Sequence, residues 1–350
     1  MKKKSIVKFA CLGLPLLLAH ATTPAQTVAT LYGVLDVGVQ YLSNANSAGK
    51  SQISLASGSF LPSRFGIKGQ EDLGGGYNAF FLLESGFNVD DGSQASAATF
   101  FNRFSYIGLN TPYGAITLGR QGSVQYNKTY SYDPLYYATY SNLSLNAAPI
   151  SILKINNAVQ YQSKNFNGFN VQLEYGFGQE LAGNSSAGRY VGGALEYVND
   201  SFSARVLQER TRGSMIGTVD QSALEDHRSS IAATYKLNKL TFFGDFTRVT
   251  GNLRISPTGS IYTVAAAYSP SDVWRFTGEA GMYDQSGIGG RPKLYNAMVQ
   301  YFFSKRTSLY AIAGYMVNSG GTRFGVAYPN TTALPDQHQF GTTLGMNHRF

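Results

Sequence analysis

The sequence predicts an all-β fold, an antiparallel transmembrane barrel of sixteen strands. Three observations lead there. Segments of about 9 to 11 residues alternate apolar and polar side chains along most of the chain, the length a tilted strand needs to cross hydrocarbon. Short, turn-rich connections alternate with long ones. Composition supplies the third: 24 Tyr, 22 Phe and 39 Gly against one Trp and 14% charged residues, which suits aromatic girdles and crowded barrel walls better than a soluble α/β enzyme.

The amino end reads as a secretory leader. Lys2, Lys3, Lys4 and Lys8 precede an apolar run, 9–18, too short to span a bilayer, and Ala19-His20-Ala21 and Thr23-Pro24-Ala25 offer small-residue cleavage sites. We therefore expect a signal peptide over 1–25 and one barrel over 26–350. Cleavage removes Cys11, the single cysteine, and leaves no disulfide or thiolate site in the remainder. The formal charge of the whole chain is +8; the first 25 residues hold four lysines and no acid, so residues 26–350 carry +4. With no block of like charge, nucleic acid is not an expected partner.

Within the barrel region, 77–87 is a blurred strand, with Phe80 and Leu82 on the face that carries Asn78 and Glu84. Residues 169–177 are clearer: Phe169, Val171, Leu173, Tyr175 and Phe177 oppose Asn170, Gln172, Glu174 and Gly176. Over 227–237, Ile231, Ala233, Tyr235 and Leu237 oppose Arg228, Ser230, Thr234 and Lys236. Over 274–282, Trp274, Phe276, Ala280 and Met282 oppose Arg275, Thr277 and Glu279. Residues 308–316 are apolar on both faces, as a strand covered by a neighbouring subunit or an inserted loop would be. The last segment sets Phe340, Leu344, Met346 and Phe350 against Gly341, Thr343, Gly345, Asn347 and Arg349. Lipid outside and water inside supply the two solvents such strands need.

Seven short joints fall at 71–76, 110–114, 164–168, 199–201, 238–239, 269–272 and 304–307, all rich in turn formers. Between them lie eight long segments: 42–62, 88–100, 121–153, 178–188, 211–226, 250–259, 284–291 and 317–337. That count requires an even number of strands with both termini on the short-turn side.

No enzyme is expected. His227, His338 and His348 have no nucleophile elbow beside them, and His348 falls on the lipid-facing parity. Val89-Asp90-Asp91-Gly92 lacks the ligand spacing of a cation loop, and Gly74-Gly75-Gly76 is a turn with no following helix or Lys-Ser/Thr to cradle phosphate. No metal or cofactor is expected.

Several stretches are familiar. Thr30-Leu31-Tyr32-Gly33-Val34-Leu35-Asp36, then Ser63-Arg64-Phe65-Gly66-Ile67-Lys68-Gly69 and Glu71-Asp72-Leu73-Gly74-Gly75-Gly76, resemble the opening strands of Gram-negative general porins of the β-proteobacterial type. Leu118-Gly119-Arg120-Gln121, Asn156-Asn157-Ala158-Val159, Ser304-Lys305-Arg306-Thr307 and the ending Gly345-Met346-Asn347-His348-Arg349-Phe350 continue that resemblance in the family's order. It implies a homotrimer in the outer membrane, contacting lipid and lipopolysaccharide, that passes small hydrophilic solutes and ions. It also implies that the terminal Phe350 is read by the barrel assembly machinery.

The resemblance further implies that the longest connection, 121–153, is a third loop folded inward. Tyr126, Asp133, Pro134, Tyr136 and Tyr137 are then candidates for the constriction, facing Arg64, Lys68, Arg103, Arg120 and Lys154. Lys154 stands where many relatives carry arginine; lysine keeps the charge and loses the planar fork. Strand parity directs those five cations inward with Arg205, Arg228, Lys236 and Arg275, against Asp36, Glu84, Glu174, Asp245 and Glu279. A cationic wall in a narrow aqueous bore concentrates anions, so weak to moderate anion preference is expected, offset in part by Asp133, Asp90 and Asp91. Pairing among these side chains would instead leave the pore nearly unselective. The rival expectation is a substrate-specific channel or a surface receptor or adhesin on the same scaffold, prompted by the tyrosine-rich third loop.

Overall fold

A computed structural model of the chain describes residues 28–142, 153–255, 257–326 and 334–350. The expected leader, 1–25, therefore lies outside the described residues, and so do 143–152 of the long third connection.

Sixteen antiparallel strands close into one barrel: β1 (Val28–Leu42), β2 (in two parts, Gln52–Ser57 and Arg64–Gly74), β3 (Tyr77–Gly86), β4 (Phe104–Thr111), β5 (Gly114–Gly122), β6 (Lys154–Ser163), β7 (Phe169–Gly176) and β8 (Tyr190–Val198). They continue with β9 (Phe202–Arg212), β10 (Glu225–Leu237), β11 (Leu240–Gly251), β12 (Gly259–Ser271), β13 (Trp274–Gln285), β14 (Lys293–Phe302), β15 (Thr307–Val317) and β16 (Gln339–Arg349). Each strand pairs with the next, and β1 pairs with β16 from Val34↔Arg349 to Leu42↔Gly341. All seven expected short joints are found, on one rim, where Asn167 and Asn238 supply left-handed turn residues with φ of 51° and 54°.

β2 departs from expectation. Residues 52–57, assigned to the first long connection, form a strand opposite Val37–Leu42, while the second part of β2 pairs with the first half of β1. The interruption at 58–63 explains why they read as a loop. Gly58 takes φ +70°, and the buried Asp36 carboxylate accepts from the Phe60 and Leu61 amides at 3.2 and 3.3 Å. Tyr310 Oη and Asn347 Nδ2 also donate to Asp36, at 2.8 and 3.0 Å. One carboxylate thus ties the break in β2 to β1, β15 and β16.

Exposure alternates as two-solvent strands require. In β14, Leu294, Asn296, Met298 and Gln300 are buried while Tyr295 and Val299 are exposed. Ile107, Ile231, Val264 and Leu344 stand at 55–64% exposure on the outer face. A continuous apolar belt of this extent is unstable against water and is satisfied by lipid. No helix among the described residues is long and apolar enough to cross a membrane.

The double-sided apolar character of 308–316 has a local cause. Inward-facing Tyr310, Ile312 and Met316 join one buried cluster with Leu294 and Met298 of β14, Leu135, Ala138 and Tyr140 of the segment following β5, and Val326. Those inner positions face protein instead of water, so they need no polar side chains.

Candidate pore constriction

The inner wall at β2–β4 carries a charge cluster centred on Glu84. Its carboxylate accepts from Arg103 Nε at 2.6 Å and Tyr32 Oη at 2.7 Å, and Arg64 Nε lies 3.3 Å away. Glu84 is buried, while the Arg64 and Arg103 side chains keep 18% and 15% of their surface. Two guanidiniums share one carboxylate, which leaves a net positive site. Arg103 Nη2 also donates to Tyr126 Oη at 3.3 Å, and Lys154 Nζ sits 3.2 Å from the centroid of the Tyr126 ring and 4.4 Å from that of Phe104. The terminal amine thus faces two aromatic π-systems. Of the expected site residues, Arg64, Arg103, Lys154 and Tyr126 are thereby brought together.

Residues 123–142 are bonded to inward-facing groups around the far wall. The short helix α1 (Val124–Thr129) is capped by Ser123, whose hydroxyl accepts from Tyr126 N at 3.1 Å. Glu209 of β9 accepts from Gln125 N and Tyr190 Oη. Glu196 of β8 accepts from Lys128 Nζ at 2.9 Å and Tyr132 Oη at 3.1 Å. Glu279 of β13 takes Asn142 N and Nδ2, both at 2.6 Å, and Asn296 Nδ2 at 3.0 Å. Arg275 Nη1 donates to Tyr136 Oη at 2.7 Å, and Tyr140 Oη meets Gln40 and Thr343. Glu196, Glu209 and Lys128 did not figure among the expected site residues. Glu209 lies four positions after Arg205 on the same face, a parity signal that was available.

Two expected site residues are corrected. Asp133 is buried and does not line a bore: its carboxylate accepts from Leu135 N, Tyr137 N and Ser141 Oγ at 2.7–2.8 Å. Burial pushes its carboxyl above the ordinary carboxylate range, against the pull of those bonds. It organises the turn in which Tyr136 and Tyr137 take φ of 53° and 59°. Arg120 is not on the inner wall. It pairs with Ser105, and the neighbouring same-face pair Ile107↔Leu118 is 60% and 51% exposed on the outer surface. Its guanidinium is held by Asn102 O and Asn156 Oδ1. The inward residue beside it is Gly119.

The other charges are placed as follows. Lys68 is on the inner parity of β2 and exposed, with Nζ 5.4 Å from the Tyr32 ring centroid. Arg205 forms a buried pair with Asp245, Glu174 accepts from Gln160 at 3.0 Å, and Lys236 is exposed. The inward acids are therefore largely engaged: Asp36 with backbone, Asp245 with Arg205, Glu196 with Lys128, and Glu209 and Glu279 with residues 123–142.

A closed sixteen-stranded barrel with a lipid-facing belt and a charged, hydrogen-bonded interior defines a protein of the outer-membrane barrel class. The sequence model of the Gram-negative porins matches residues 16–321, and the chain belongs to that family. Outer membrane porin protein 32 of Delftia acidovorans is 29% identical over 99% of this chain and 100% of its own length. The major outer membrane protein P.IB of Neisseria meningitidis serogroup A is 25% identical over 97% of this chain and all of its own. Among solved structures, the anion-selective porin from Comamonas acidovorans superposes with a TM-score of 0.78 at 27% identity, covering 93% of this chain and 100% of that one. OmpT of Vibrio cholerae, in a form lacking loop L8, reaches 0.68 at 16% identity over 93% of this chain and 99% of its own, and is alike in fold.

Proposed function

We propose that this porin is a homotrimeric general-diffusion channel for small hydrophilic solutes and ions, with a weak to moderate preference for anions. In this reading 123–142 is a loop folded into the barrel, and the bore passes between it and the wall bearing Arg64, Arg103 and Lys154. The observation that carries the reading is the imbalance of free charge: the inward acids are engaged in pairs and backbone contacts, whereas Glu84 is shared by two arginines. Arg275 beside Tyr136 and exposed Lys68 add positive charge along the path. A water-filled bore lined in this way raises the local concentration of anions and admits them with little chemical discrimination.

The reading includes a leader over 1–25 removed on export, contact of the outer belt with lipid and lipopolysaccharide, and use of Phe350 by the assembly machinery. The tyrosines of 123–142 speak against a sugar-specific track. Tyr132 and Tyr140 are buried in hydrogen-bonded contacts, and Tyr126 stacks on Tyr137 at 5.4 Å with an interplanar angle of 6°. The test is reconstitution in planar bilayers across a potassium chloride gradient. Openings in groups of three and a reversal potential of anion-selective sign are expected; a cation-selective sign refutes the charge assignment, and absence of conductance refutes the channel.

A further inference from the structure

The outer face of β9, β10 and β11 changes chemistry along its length. Toward the short-turn rim its outward residues are uncharged and mostly apolar: Phe202, Tyr235, Leu237 and Phe242 are all exposed. The apolar belt continues through Val206 and Ile231, at 50% and 55% exposure, and then stops. Beyond it, toward the long-loop rim, the outward positions include Arg210 and Arg212 on β9, His227 and Glu225 on β10, and Arg248 on β11. Register joins them into one patch, with Arg210 opposite His227, Arg212 opposite Glu225 and Ser229 opposite Arg248. Arg189, just before β8, adjoins it, and its carbonyl accepts from Arg212 N at 2.8 Å.

The charges of this patch do not balance. Glu225 is shared: its Oε2 lies 4.0 Å from Arg210 Nη1 and 3.8 Å from Arg212 Nη2, and its Oε1 lies 3.0 Å from His227 Nε2. Arg248 Nη1 donates to Ser260 Oγ at 2.9 Å, and Arg189 Nη2 to Ser185 O and Oγ at 2.8 and 3.1 Å, neutral partners that leave both charges uncompensated. The neighbouring Asp226 is buried and accepts from the Arg254 and Ile255 amides, and Asp284 of β13 is taken by Arg291 at 3.2 Å. Four guanidiniums and one carboxylate thus stand where the belt ends, at headgroup depth, and a guanidinium fork matches phosphate with two parallel N–H donors. We propose that this patch binds the phosphates of a phosphorylated glycolipid of the outer leaflet, lipid A, whose acyl chains lie on Val206 and Ile231 beneath. The uncharged opposite end of the same three strands is the internal contrast, because an anchor needed equally in both leaflets would place cations at both ends. The inference names the place and chemistry of the lipopolysaccharide contact proposed above, and rests on the long-loop rim facing the outer leaflet.

Refolded porin in non-ionic detergent, with EDTA present so that no divalent cation bridges phosphates, is titrated with diphosphoryl lipid A, monophosphoryl lipid A and phosphatidylglycerol, and bound lipid is read by native mass spectrometry. Diphosphoryl lipid A should bind saturably and several times more tightly than either of the others. Replacing Arg210, Arg212 and Arg248 together by Gln should weaken it about a hundredfold, roughly fivefold for each guanidinium. K239Q/K305Q/R306Q removes as much charge from the short-turn rim and should leave the affinity as it was. The conductance of each variant in a planar bilayer shows that its barrel has formed. Undiminished affinity in the conducting R210Q/R212Q/R248Q protein, an equal loss in the two triple variants, or phosphatidylglycerol bound as tightly as diphosphoryl lipid A overturns the proposal. Each of these results leaves conductance and reversal potential, and with them the channel reading, to stand or fall separately.

Discussion

Glu84→Gln isolates the charge argument, because it keeps the shape of the side chain and removes the one carboxylate shared by Arg64 and Arg103. An ion passing ~5 Å from that position feels a unit charge at about 0.8 kcal/mol in water, reduced to about 0.5 kcal/mol by screening at 0.1 M salt. Removing a negative charge helps anions and hinders cations by that amount each, so the anion-to-cation permeability ratio should rise about fivefold. The assay is the reversal potential across a potassium chloride gradient near 0.1 M. Repeating it near 1 M, where the Debye length is about 3 Å, should shrink the change toward nothing. Arg103→Gln in the E84Q background removes one cation and should return the ratio toward that of the parent. A reversal potential that stays put in E84Q, or moves toward cation selectivity, refutes the idea that this cluster faces the ion path.

Three further outcomes are expected. Replacing Arg64 and Lys154 together by Ser should lower the anion-to-cation ratio severalfold, and an unchanged reversal potential across a salt gradient would remove both from the selective wall. Asp133→Ala deletes an acceptor for three donors, at roughly 1 kcal/mol per bond, within 123–142 and not in the barrel. Noisier, larger openings at constant selectivity are expected; a shift in selectivity would mean that the carboxylate reaches the bore after all. Deleting Phe350 removes two backbone hydrogen bonds to Gly33, each 3.1 Å, together with the ring that packs on that glycine. Barrel yield on refolding in detergent should fall, and yield equal to that of the full chain would show the seam to be indifferent to its last residue.

Much of the barrel is legible in the chain because a strand between lipid and water needs alternation, and 169–177, 227–237 and 274–282 have it plainly. Where the inner solvent is protein, the signal fades, as at Ile312 and Met316. The pair Ile53 and Leu55, 73% and 55% exposed, carries the same alternation, but a Gly58-to-Pro62 break hides its continuity with Arg64. Parity directs Arg64, Glu84 and Arg275 inward, where Arg64 lies beside Glu84 and Arg275 on Tyr136, but it misdirects Arg120, one residue from Gly119. The role of Asp133 was not readable, since a loop sequence shows an acid and not the amides that surround it. Glu196 and Glu209 illustrate the converse: their faces could be counted, but their partners in α1 and at Tyr132 are set by a loop path that no periodicity records.

The seam between β1 and β16 sets the order in which the molecule can be made. Every other strand pairing joins neighbours in the chain and can form as a local hairpin, whereas Val34 and Arg349 meet across more than 300 residues. Closing so large a ring from an open chain costs about 5 kcal/mol of conformational entropy, a sum that grows only with the logarithm of length. Fifteen local pairings lower that cost beforehand by bringing the ends of the sheet side by side. Phe350 is thus also a clasp, and the sheet has two bare edges until it meets Gly33.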